Sequence, residues 1–147
     1  MPKRIAVLVS GGGTNLQALI DAQTRGELGG GELCAVIASK PGVFALERAE
    51  RAGIPGYVVA RKDYTSSQAF TAALVDELRE LDIDLVVLAG FMVILTGEMV
   101  NAFPNAILNV HPALIPSFSG EGCYGLHVHE KALGYGVKVT GATVHFV

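Results

Sequence analysis

Asn109-Val110-His111-Pro112 follows the apolar residues Ala106, Ile107 and Leu108, which sets an amide and an imidazole at the end of a buried strand. Side chains alternate faces along a strand, so Asn109 and His111 share a face about 7 Å apart. An amide that donates a hydrogen bond, beside an imidazole that carries a proton, suits a carbonyl oxygen that turns into an oxyanion under attack. Pro112 lacks an N–H, ends the pairing and opens a loop. The same four residues also read as a polar strand end with a hydrogen-bonded core histidine, and taken alone they leave both readings open.

A second chemical stretch is Ser10-Gly11-Gly12-Gly13-Thr14-Asn15. It lies between an apolar run and a helix-period segment, where glycines let the backbone approach an anion and the N–H groups of a helix start point at it. The turn is not a dinucleotide fingerprint, because Leu16 stands where the third glycine belongs, and no Gly-Lys-Ser/Thr follows to make a Walker loop. A phosphate cradle and a plain tight turn are the two readings. The third stretch, Ala89-Gly90-Phe91-Met92-Val93-Ile94-Leu95, carries a strand past its natural end into an apolar loop. Such a loop either packs into the core or walls a pocket for a flat ring. His127 and His129 do not make a metal pair, since residues two apart on a helix do not share a face and no third ligand is evident.

Positioning these stretches requires strands that alternate with helices, and the pattern supplies them. Short apolar runs at 5–9, 33–38, 57–60, 85–89, 106–110 and 139–147 read as strands. Periodic segments at 15–24, 43–52, 97–102 and 126–133 read as helices. A further helix carries Phe70, Leu74, Leu78 and Leu81 on one face, opened by a Thr65/Gln68 capping box. Alternation of this kind builds βαβ units and a largely parallel sheet, whose ligands bind beyond the carboxyl ends of the strands. The final run reads as a buried strand.

The bulk properties fit one such unit. A chain of 147 residues, half of them hydrophobic, is one domain's worth with a generous core. A net charge of −3 with scattered basic residues gives no general attraction to nucleic acid or to an anionic membrane. Cys34 and Cys123 are far apart and outside any C-x-x-C pattern, so a reduced, cytoplasmic setting is expected. No apolar run approaches the roughly 20 residues that cross a bilayer, and none has the make-up of a signal peptide.

Residues 10–16, 88–95, 109–116 and 143–147, in that order, with His127-x-His129 between the last two, resemble the folate-dependent phosphoribosylglycinamide formyltransferases (glycinamide ribonucleotide transformylases). The resemblance runs from the first strand to Val147. It implies an α/β, Rossmann-like formyltransferase fold, a mostly parallel twisted sheet flanked by helices. The implied reaction moves a formyl group from 10-formyltetrahydrofolate, a co-substrate, to the amine of glycinamide ribonucleotide in purine synthesis, without a metal. Carried over residue by residue, Gly12, Gly13, Thr14 and Asn15 hold the ribonucleotide phosphate. Leu88, Met92, Val93, Ile94, Leu95, Val100, Ile107, Asn109 and Val147 form the folate site, Asn109 steadies the formyl oxygen, and His111 donates the proton. His145 has a structural or supporting part.

The sequence departs from that pattern in places. Val93 stands where many members carry Arg, and Ser67 where many carry a basic residue, which weakens or moves contacts to the folate tail. The loop at 120–125 is longer than in some members. The family's catalytic Asp matches a position beyond Val147, so residues 1–147 are expected to be a formyltransferase domain without its C-terminal part, and by themselves a slow enzyme. The other functions considered are a formyltetrahydrofolate hydrolase, which has no nucleotide to hold, and a non-catalytic folate- or nucleotide-binding module. A cytoplasmic monomer or homodimer completes the expectation.

Overall fold

The computed structural model describes residues 2–111, 115, 126–136 and 141–147. The strands are β1 (Lys3–Val9), β2 (Gly31–Ala38), β3 (Gly56–Val58), β4 (Leu85–Leu88), β5 (Ile107–His111) and β6 (Thr143–Phe146). Between them run the helices α1 (Thr14–Thr24), α2 (Phe44–Arg51), α3 (Ser67–Glu80), α4 (Gly97–Ala102) and α5 (Leu126–Tyr135). They form one six-stranded sheet in the order β3-β2-β1-β4-β5-β6. The first five strands are parallel, and β6 runs antiparallel to β5. The chain builds outward from β1 to β3, then returns to place β4 on the other side of β1. That reversal opens a crevice at the carboxyl ends of β1 and β4, the usual place for a ligand in such sheets.

Alternation along the central strands splits the core into two layers. Leu8, Ile37, Val86, Leu88 and Ile107 face α3 and α4, where they meet Phe70, Leu74, Leu78, Met99 and Phe103. Val7, Val9, Val36, Val87 and Ala89 face the other way and meet Leu16, Ile20, Ala45 and Ala49 of α1 and α2. Strands covered on both faces read as continuous apolar runs, and that is why 5–9 and 85–89 carry no polar alternation.

The structure shifts several expected boundaries. The cap of α3 is Ser66 rather than Thr65: its Oγ accepts from Ala69 N at 3.1 Å, and the helix starts at Ser67. Serine is the better N-cap of the two, and this register buries Phe70, Thr71, Leu74, Val75 and Leu78 together. Strand β5 begins one residue later than expected and takes in His111. Strand β6 is not buried: Val144 and Phe146 are 64% and 65% exposed, because β6 lies at the edge of the sheet with alternate side chains facing out. The glycine-rich loop expected at 116–125, Cys123 and the first residues of the run at 139–147 lie outside the described residues.

Candidate functional site

Three segments converge on the carboxyl edge of the sheet: the turn after β1, the loop after β4, and the end of β5. In the first, Gly13 caps α1 with φ +79°, a conformation that favours glycine. A side chain there would also collide with α2, since a Cβ on Gly13 would lie 2.7 Å from that of Ala45. Gly13 has no side chain with which to cap α1, so the first N–H groups of the helix keep their capacity for another acceptor. Gly12, Thr14 and Asn15 are exposed beside it.

The loop after β4 is tethered at both ends by buried hydroxyls. Ser10 Oγ, at the end of β1, accepts from Met92 N at 2.9 Å and shares a 2.7 Å hydrogen bond with Ser39 Oγ. Thr71 Oγ1, within α3, accepts from Thr96 N at 3.2 Å and donates to Ser67 O at 2.7 Å. Phe91, just before the first tether, and Val93 and Leu95, between the two, are half-buried against the core layer that holds Leu88 and Ile107, with Phe91 stacked on Phe70 at 6.4 Å. Met92 and Ile94 point outward, 58% and 79% exposed. Of the residues expected to contact folate, Leu88 and Ile107 therefore lie in the floor beneath this loop. Met92, Ile94, Val100 and Val147 offer exposed apolar surface, and Val93 and Leu95 sit between the two.

Asn109 and His111 are half-buried on the face of β5 that Ile107 shares with the α3 layer. Leu88 is the neighbour of Asn109 on one side, and His145 of β6 is directly opposite on the other. Asn109 Nδ2 lies 3.2 Å from His145 Nε2, and His145 Nδ1 lies 3.0 Å from the Phe146 carbonyl. A carbonyl only accepts, so Nδ1 carries the proton, and Nε2 is left with a lone pair for one amide hydrogen of Asn109. The second hydrogen on the same nitrogen is not taken by His145. His111 stands opposite Thr143, whose Oγ1 accepts from Ile115 N at 3.1 Å. Val147 N continues the pairing by donating to the Ile107 carbonyl at 3.0 Å.

The structure thus brings all three expected stretches to one edge, and it adds contacts that the sequence pattern did not single out. Nothing in the local spacing marks Ser39 or Thr71, and Ser10, although it opens the glycine stretch, carries no local sign that its hydroxyl holds Met92. His145 could have been paired with Asn109 only by knowing the antiparallel register of β5 and β6. Among the described residues no group of three His, Cys, Asp or Glu is placed to hold a metal. His127 lies 3.6 Å from Glu130, within α5.

Comparison with known proteins agrees with this architecture. A family model described as formyl transferase matches residues 3–147. The chain is 49% identical over 144 residues to the trifunctional purine biosynthetic protein adenosine-3 of Homo sapiens, covering 98% of this chain and 14% of that protein. It is 42% identical over 145 residues to the phosphoribosylglycinamide formyltransferase of Haemophilus influenzae, covering 99% of this chain and 66% of that one. The crystal structure of glycinamide ribonucleotide transformylase 1 from Symbiobacterium toebii superposes with a TM-score of 0.91 at 45% identity, over 99% of this chain and 66% of its own. The chain thus spans just under two thirds of these single-function relatives. A fold shared at that level, with a family match running from β1 through β6, makes the chain a member of the formyl transferase family.

Proposed function

We propose that the full-length protein transfers a formyl group from 10-formyltetrahydrofolate to the amine of glycinamide ribonucleotide. The observation that carries this reading is the Asn109 amide, held by His145 at 3.2 Å on the same sheet edge as the glycine turn. Attack by the amine forms the new C–N bond and moves the carbonyl electron pair onto the formyl oxygen. The Asn109 N–H stabilises that oxygen as its charge grows, an effect worth most where water is kept away. On collapse the bond from the formyl carbon to the folate nitrogen breaks, that nitrogen takes a proton, and the amine loses one. His111, next along the same face, is the group that handles this transfer.

The remaining roles follow the surfaces. The N–H groups at 12–15 take the ribonucleotide phosphate, and the apolar loop 91–95 with Val100 and Val147 takes the folate ring. No metal has a part in this scheme, and neither nucleic acid nor a membrane is a partner; among the described residues no helix is long and apolar enough to cross a bilayer. The protein works in the cytoplasm as a monomer or homodimer. The names of the relatives support the ribonucleotide acceptor and the formyl group, and the glycine turn favours a nucleotide acceptor over water.

The test is to supply purified full-length protein with 10-formyltetrahydrofolate and follow release of tetrahydrofolate with and without glycinamide ribonucleotide. Product that forms only with the ribonucleotide, together with formylated ribonucleotide, supports transfer. Equal release of formate in its absence would identify a hydrolase, and folate binding without turnover would identify a non-catalytic module.

A further inference from the structure

The turn between β1 and α1 is gripped from one side by α2, and the grips fall on carbonyl oxygens. Ala45 N donates to the Gly11 carbonyl at 3.1 Å, and Arg48 Nε donates to the Gly12 carbonyl at 2.7 Å. The Gly13 carbonyl is taken from within α1 by Gln17 N at 2.9 Å. A trans peptide sets its C=O and the following N–H in opposite directions. Holding the Gly11 and Gly12 carbonyls toward α2 therefore aims the N–H groups of Gly12 and Gly13 away from it, toward the open edge of the sheet. Neither N–H is used by another backbone group among the described residues.

Arg48 is itself fixed by two further contacts. One terminal nitrogen lies 3.2 Å from Gln17 Oε1, and the guanidinium carbon sits 4.7 Å from the centre of the Phe44 ring. A planar fork can stack on an aromatic face and donate to two acceptors at once, which a lysine ammonium cannot match. Two of the three contacts fall on the turn and on the helix it opens. A side chain that merely decorated α2 would have no reason to satisfy a glycine carbonyl in the turn that opens α1.

We propose that Arg48 is a positioning residue for the ribonucleotide phosphate: by holding the Gly12 carbonyl it fixes the direction in which the turn presents its N–H groups. The inference rests on the phosphate-binding reading of residues 12–15. Arg48 adds a positive charge beside the anion while leaving direct contact to the backbone.

The experiment measures steady-state kinetics of the full-length protein and of Arg48→Met, Arg48→Lys and Gly13→Ala, with inorganic phosphate as a competing anion. Arg48→Met is expected to raise the ribonucleotide KM and the phosphate inhibition constant each by about tenfold, the effect of one lost charge-assisted hydrogen bond. The folate KM and kcat stay within about twofold on the same reasoning. Arg48→Lys recovers only part of the loss. An unchanged ribonucleotide KM in Arg48→Met, alongside a raised one in Gly13→Ala, would overturn the role of Arg48 and leave the cradle standing. If neither variant moved that KM or the phosphate inhibition, the cradle itself would fail. Equal rises in both substrates' KM values, or a wild-type ribonucleotide KM in Arg48→Lys, would also overturn the proposal, the first in favour of general structural support and the second in favour of charge alone.

Discussion

The glycine turn after β1 and the polar face of β5 lie on the same edge of the sheet, yet they are built by opposite means. The turn consists of main chain: its carbonyls are taken by α1 and α2, its left-handed Gly13 fits against Ala45, and its N–H groups are what it presents. The β5 face consists of side chains, with Asn109 set by His145 across an antiparallel pair and His111 opposite Thr143. Backbone amides keep their hydrogens at every working pH and suit an anion whose charge does not change during the reaction. Side chains can orient a donor or move a proton, and they suit the centre where charge develops. The division matches a substrate held at one end and transformed at the other.

Removing the side chains of β5 should produce the largest effects. Asn109→Ala and His111→Ala are each expected to lower kcat by roughly 10²–10³-fold, the usual loss for a donor aimed at a developing oxyanion. The ribonucleotide KM should change little. Rates within a few-fold of wild type, measured by tetrahydrofolate release, would take the pair out of the mechanism and leave the two regions without distinct tasks.

His145 sharpens the contrast, because its hydrogen bond falls on Asn109. His145→Ala should cost about tenfold in kcat, the equivalent of one hydrogen bond lost from a catalytic group. His145→Gln, which can still accept from the amide, should recover part of that. A matched loss of folding stability in both variants, with no difference in kcat between them, would show that His145 only packs the β5–β6 pair.

Ser66→Ala provides the smallest change and the reference point. It removes the N-cap of α3, a residue outside both the turn and β5, and should cost about 1 kcal/mol in a urea titration. Both KM values and kcat should hold. Altered kinetics would mean that the loop after β4, tied to α3 through Thr71 and Thr96, responds to the stability of that helix.

The legible parts of the molecule were those encoded locally. Doubly covered strands announced themselves as apolar runs, and α4 could be placed from Gly97 to Ala102 because its short periodic segment is bounded by Thr96 and the turn at Pro104. Asn109 and His111 were legible because two polar residues at alternate positions after an apolar run are unusual in a buried strand. The cap of α3 was misplaced by one residue because Thr65 and Ser66 are both competent, and only the packing of Phe70, Leu74 and Leu78 decides between them. The exposure of β6 was hidden because an apolar sequence does not reveal that its strand lies at the edge. Arg48 and His145 act across 36 residues of separation each, on Gly12 and Asn109 respectively. Such pairings follow from the order of the strands, and no local pattern contains it.

The central claim, that one region holds the phosphate and the other performs the transfer, is tested most directly with inorganic phosphate as an inhibitor of the full-length protein. Formyl transfer is measured while each substrate is varied in turn at several phosphate concentrations, with sulfate as a second anion. The account predicts that both anions raise the apparent KM for glycinamide ribonucleotide and leave the KM for 10-formyltetrahydrofolate unchanged. A ribonucleotide KM indifferent to both anions, or a folate KM that rises in parallel with it, would contradict the account.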